Sequence, residues 1–243
     1  METSEHIKAL EAEGELLAVA AEEAGPDAKV PTCPGWEVRD LLRHTGMVHR
    51  WATAFVAEGH TSYQPDGGLP DLDGDELLAW FRVGHRALVE TLSTAPPDVD
   101  CWSFLPAPSP LAFWARRQAH ETAVHRFDAE AARSGTPGEI GRDFAADGID
   151  ELLRGFHARS KSKVRSVEPR VLRVRATDTD AVWTVRLSAE PPVTEQDGTG
   201  EADCEISGPA ARLYMSLWNR LPFPRVTGDS SLAALWRERS AVT

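Results

Sequence analysis

Trp114-Ala-Arg-Arg-Gln-Ala-His-Glu-Thr-Ala-Val-His-Arg-Phe-Asp128 decides how this chain is read. It has the composition of a helix, and residues four apart on a helix share one face. Glu121 and His125 therefore bring a carboxylate and an imidazole within reach of one cation. His120 is the tempting third donor, since His120-Glu121 resembles the start of the zinc-peptidase motif His-Glu-x-x-His. At roughly 100° per residue, however, His120 and His125 stand about 140° apart around the helix axis, so the two cannot chelate together. A third donor has to come from another helix.

Working outward, residues 4–24 carry Ile7, Leu10, Gly14, Leu17 and Ala21 at amphipathic spacing. The Val30–Trp36 loop leads into a second helix running from Glu37 to about Glu58, and a third occupies about 75–94. Pro106–Pro110 breaks the chain before the fourth helix, which reaches about Arg133. Four helices of comparable length are most economically an antiparallel bundle. A further helix at about 143–159 is followed by a basic linker, Arg159–Ser166. Strand-like alternation then appears in Val171–Thr177 and Ala181–Leu187, about the turn Asp178–Asp180, and again in Glu201–Ser207. A helix at 209–219, a short strand near Pro224–Thr227 and a helix at about 230–239 complete the pattern, with 190–200 as a breaker-rich loop. The fold class is α+β: a helical bundle (1–142), a connecting helix and linker (143–164) and a small α+β domain (165–243).

On the second helix, His44 and His49 are also about 140° apart. His44 shares its register with Leu41, Val48, Trp51 and Phe55 and is the preferred third donor. A His/Glu/His set from two bundle helices leaves positions for water or substrate, as in a catalytic rather than a structural zinc site.

Composition narrows the function classes. With 243 residues, 42% of them hydrophobic, the chain can bury a substantial core. A net charge of −12 disfavours nucleic acid and anionic membranes as partners. The acidic start and the short apolar runs imply neither signal peptide nor membrane span, so a cytoplasmic location is expected. Cys33, Cys101 and Cys204 are odd in number and scattered, which argues against a disulfide framework and against a cysteine zinc site. Only 4 of the 26 basic residues are lysine, a bias that reads as a GC-rich genome. No phosphate loop, dinucleotide fingerprint or nucleophile elbow is found in the sequence.

Three stretches carry a family resemblance: Pro31-Thr-Cys-Pro-Gly-Trp-Glu-Val-Arg-Asp-Leu-Leu-Arg-His44 followed by Trp51, the Trp114–Asp128 segment, and Leu217-Trp-Asn-Arg220 through Val226-Thr-Gly-Asp229. In this order and spacing the chain resembles the mycothiol-dependent maleylpyruvate isomerase family. The resemblance implies a DinB-like four-helix bundle holding a divalent metal, a C-terminal domain similar to sterol carrier protein, and an actinobacterial source. It also implies metal ligands at His44, Glu121 and His125 and mycothiol as thiol cofactor or cosubstrate, and the donor types make zinc the expected ion. In the implied reaction a thiolate adds to the activated double bond of a small unsaturated keto acid, a bond rotation follows, and elimination returns the thiol.

Arg220, with Arg117 behind it, is the candidate for holding the substrate's carboxylates, and Asp128 is placed to orient a ligand imidazole or to pair with helix arginines. Activity is expected to need an external thiol and to survive loss of the chain's own cysteines. A monomer or small homo-oligomer is expected. Two other functions use the same donors: a metal-dependent hydrolase acting through bound water, and a non-catalytic metal- or ligand-binding protein. One local departure is Glu37, where the family often has Thr or Ser. Glutamate is a poor N-cap, so a less firmly fixed start of the second helix is expected.

Overall fold

The computed structural model describes residues 1–133 and 136–242, and the chain divides into two compact units, Met1–Gly138 and Glu139–Thr243. The first is a bundle of four helices: α1 (Thr3–Ala24), α2 (Val38–Glu58), α3 (Gly74–Thr94) and α4 (Pro110–Ala132). Ser109 and Pro110 start α4 as a side-chain N-cap and a first-turn proline, a pairing that suits both residues.

The connectivity differs from a simple antiparallel succession. Arg39 pairs with Asp73, Trp80 lies against Gly46, and Arg50 lies against Gly84, so α2 and α3 run parallel. Arg126 and Arg133 of α4 pair with Glu13 and Glu23 of α1, so those two are parallel as well. The order is thus up, down, down, up. Two parallel consecutive helices need a return along the bundle, and the breaker-rich segment 59–73, read from the sequence as a loop, provides it.

Close approach of α1 to α3 depends on Gly14. A Cβ there would run into the His85 imidazole, whose Nε2 is 3.0 Å from the Leu10 carbonyl oxygen. Leu17, Leu41, Leu77 and Phe81 fill the centre, each with no solvent exposure. Helix α4 is enclosed almost all round, including its Arg117, Arg126, Asp128 and Glu130. Buried charge persists only when paired. Arg126 is paired at 2.6 Å to Glu13 and 2.7 Å to Glu130.

The start of α2 is fixed, contrary to expectation. Glu37 and Asp40 close a reciprocal capping box, with the Glu37 amide donating to Asp40 Oδ2 at 3.0 Å. Glutamate is long enough to reach the N3 amide and to keep Lys29 and Arg39 as partners at 2.6 and 3.0 Å.

The second unit is α+β: α5 (Arg142–Asp150) running into a π-helical turn (Glu151–Phe156), then β1 (Arg170–Ala176), β2 (Val182–Leu187), β3 (Val193–Glu195), β4 (Cys204–Gly208), α6 (Ala210–Leu217), β5 (Arg225–Gly228) and α7 (Ser230–Arg239). The sheet order is β3-β2-β1-β4-β5, with β1 and β4 parallel and the other pairs antiparallel. The expected hairpin is β1–β2, with Arg175 opposite Val182. Its alternation buries Leu172, Val174, Trp183 and Val185. Strand β3 falls in the segment read as a loop; three residues of edge strand leave too short an alternation to recognise. The expected helix at 143–159 changes to π geometry halfway, which its apolar spacing does not reveal. Among the described residues no helix is long and apolar enough to cross a membrane.

Candidate metal centre

Helices α2 and α4 run antiparallel side by side, so successive turns of one meet successive turns of the other in reverse order. Trp51 packs on Trp114 with ring centroids 5.4 Å apart, and two turns away His44 meets Glu121. Glu121 Oε1 is 3.2 Å from His44 Nε2 and 3.2 Å from His125 Nε2. One donor atom from each of His44, Glu121 and His125 lies within 4.8 Å of the others. Both imidazoles thus present Nε2 to one carboxylate oxygen, and the three donors converge on a space between two helices.

Supporting contacts hold each donor. Asp128, wholly enclosed one turn beyond His125, stands 2.9 Å from its Nδ1. In the neutral ring, a proton on Nδ1 directed at Asp128 leaves Nε2 able to coordinate an ion shared with Glu121 and His44. Arg117, its side chain only 4% exposed, is 3.3 Å from the other oxygen of Glu121. Trp36 covers a further side, stacked on His125 at 6.2 Å and edge-on to His44 at 5.2 Å.

The electrostatics favour positive charge at this point. Burial opposes ionisation of His125, yet the hydrogen bonds to Asp128 and Glu121 prevail and raise its pKa to about 9. Burial likewise opposes ionisation of Glu121, yet the bonds from His125 and His44 hold it well below the usual carboxylate range. A pocket that stabilises a proton so strongly is one a divalent ion can also enter, provided the proton leaves.

The fully enclosed histidine of α2 is His49, not His44: its side chain has no exposure and Nε2 is 2.9 Å from Thr122 Oγ1. Leu41 and Phe55 of the His44 register are wholly enclosed as expected, whereas His44 itself is only partly buried, its side chain 31% exposed. His120 is apart from the set and packs edge-on against His6. Arg220 belongs to the second unit and donates from Nη1 to the Trp218 carbonyl oxygen at 2.9 Å. The preceding Asn219 takes φ of 63°, a left-handed conformation that asparagine tolerates better than most residues and that ends α6.

Cys33 was not anticipated here. Its Sγ is 3.3 Å from Asp128 Oδ2, across 95 positions of sequence. No local signal could have shown it. The only hint is that Cys33 precedes Trp36 by one turn of loop, and Trp36 packs on both imidazoles.

A four-helix unit with an imidazole–carboxylate cluster between two of its helices, followed by an α+β unit built on a mixed five-stranded sheet, defines a class of two-part proteins. Within that class, residues 7–130 match the mycothiol maleylpyruvate isomerase N-terminal domain and residues 143–235 match the C-terminal domain of the same family. The chain belongs to the mycothiol-dependent maleylpyruvate isomerase family. Two crystal structures of a mycothiol-dependent maleylpyruvate isomerase, one of them of a substitution mutant, share the fold at 14% and 13% identity. Each aligns with a TM-score of 0.61 over 88% of both chains. No curated protein matches the chain.

Proposed function

We propose that this chain is a metal-dependent enzyme that uses a low-molecular-weight thiol, mycothiol, to isomerise or transfer to a small electrophile such as an unsaturated keto acid. The observation that carries the reading is the approach of two Nε2 atoms to Glu121 Oε1, each at 3.2 Å. The donor set suits zinc: two imidazoles and a carboxylate leave at least one coordination position for an incoming ligand. When bound, such an ion lowers the pKa of a coordinated thiol and so keeps it as thiolate near neutral pH.

The chain's residues divide the remaining work. His44, Glu121 and His125 hold the ion, and Asp128 keeps the His125 proton on Nδ1. Arg117 balances the carboxylate that donates through its other oxygen. Trp36 keeps bulk water from one side of the imidazoles. Arg220 is assigned to a substrate carboxylate, because an unsaturated keto acid needs a cation to orient it. Cys101 and Cys204 are buried, and burial raises both thiols, so neither is a ready nucleophile.

The test is to purify the protein, measure bound metal, and assay a panel of electrophiles that includes maleylpyruvate, with and without mycothiol. Turnover that requires both metal and thiol supports the reading. Turnover without added thiol points to hydrolysis by bound water instead, and a metal-loaded protein inert throughout the panel points to a binding role.

A further inference from the structure

His125 has two ring nitrogens, and each faces its own donors. Nε2 faces Glu121, with His44 beyond it. Nδ1 faces Asp128 Oδ2 at 2.9 Å, and Cys33 Sγ stands 3.3 Å from that same oxygen. One donor atom from each of Cys33, His125 and Asp128 lies within 4.8 Å of the others. A thiol, an imidazole and a carboxylate therefore converge on the Nδ1 side of a ring whose Nε2 side belongs to the first set.

We infer that Cys33, Asp128 and Nδ1 of His125 form a second cation site, selective for thiophilic divalent ions. Ligand atoms around a tetrahedral ion with metal–sulfur and metal–nitrogen bonds of about 2.3 and 2.0 Å stand roughly 3.3–3.7 Å apart. The observed 2.9 and 3.3 Å need to open by only a few tenths of an ångström. The thiol is held in place by its loop, since the Cys33 amide donates to the Val30 carbonyl and the Trp36 amide to that of Cys33, at 3.1 and 3.0 Å. Asp128 is wholly enclosed, whereas Cys33 is half-buried, so an ion reaches the site past the sulfur.

Softness separates the two sites. Thiolate draws the soft divalent ion cadmium more strongly than the His44, Glu121 and His125 set, whose donors are nitrogen and oxygen only. Entry of a divalent ion sends the Cys33 thiol proton and the Nδ1 proton of the His125 imidazolium to solvent; the ring keeps its Nε2 proton and stays neutral, nothing is oxidised or reduced, and thiolate, carboxylate and ion sum to neutrality. The ion takes the place of the proton through which Asp128 orients His125. A thiophilic ion at this site therefore acts on the first set from behind.

The probe is cadmium, titrated into the full-length protein while the ultraviolet thiolate-to-cadmium absorption is followed. The absorption is expected to saturate at equimolar cadmium in the wild type. It is expected to persist in Glu121→Gln and in the Cys101→Ser/Cys204→Ser double variant, and to vanish in Cys33→Ser. A wild type without the band, or a Cys33→Ser protein that keeps it, overturns the site. If Cys33→Ser does not fold, alkylation of Cys33 in the native protein decides: cadmium at ten times its dissociation constant should slow it about ten-fold. An unchanged rate overturns the inference. Zinc content of Cys33→Ser, which lacks the sulfur of the second site and keeps His44, Glu121 and His125, reports on the first donor set alone, so failure of either site is read separately.

Discussion

Asp128 reaches back along α4 to His125, its Oδ2 lying 2.9 Å from Nδ1, and so decides which nitrogen of that ring faces Glu121. Asparagine in its place preserves the shape but offers an amide in place of the anionic acceptor. Asp128→Asn is expected to lower zinc affinity by about 10- to 100-fold, the usual effect of removing such a partner. His125→Ala should abolish stoichiometric binding. Competition against a fluorescent zinc chelator measures both, and an Asp128→Asn protein with unchanged affinity would show that the carboxylate does not orient the ring.

Trp36 should report on the ion directly. Its indole lies 5.2 Å from the His44 ring and 6.2 Å from the His125 ring, centroid to centroid, so a divalent ion on their Nε2 atoms alters the field at the indole. Zinc addition to metal-stripped protein is expected to change tryptophan emission. Trp36→Phe should remove that change while the other seven tryptophans still fluoresce. Persistence of the full response in Trp36→Phe would place the ion elsewhere.

Gly14→Ala tests the packing of α1 on α3. The added methyl meets an imidazole that is itself bonded to the Leu10 carbonyl and stacked on Phe81, so the ring has no easy retreat. Overpacking of this kind typically costs about 1–3 kcal/mol. Urea unfolding of the bundle should show a lower midpoint with an unchanged slope. A neutral effect would mean that α1 can shift.

His157 sets an acid limit on the second unit. Burial pushes its pKa down to about 4 while its ring packs on Trp236. Above about pH 7.5 the residue is neutral whether folded or unfolded and contributes no pH dependence. As pH falls from there toward 4, the unfolded chain takes up the proton and the folded one does not, so stability declines. The full loss approaches about 3 kcal/mol. His157→Gln, which can still bond Ser162, should flatten this part of the pH profile in denaturant titrations. An identical acid slope in the variant would exclude His157 as its source.

Much of the fold was legible because its signals are local. The caps, breakers and apolar spacing of α1 to α4 mark those helices within a residue or two, and alternation marks β1, β2 and β4. Helix direction was not legible. That α2 and α3 run parallel depends on Arg39–Asp73 and on the seating of Trp80 against Gly46, contacts between residues far apart in sequence. For the candidate site, Glu121 and His125 are a spacing on one helix and could be read directly. His44 could be singled out from its register, which does carry the enclosed Leu41 and Phe55, though His44 itself is partly exposed where the interior was expected. Cys33 lay beyond such reasoning altogether, because nothing around position 33 records that Asp128 folds next to it.

Both nitrogens of His125 are committed, one toward Glu121 and one toward Asp128, on opposite sides of a rigid ring. No other side chain offers that pair. The polar atoms of asparagine and glutamine branch from a single carbon and cannot face opposite ways, and a carboxylate would repel both neighbours. His44 and Glu121 each engage the cluster through one face and have chemical cousins that could stand in, weakly, during evolutionary drift. Position 125 has none. Among descendants of this chain, its loss is the change that would mark a lineage in which the bundle persists after the chemistry has gone.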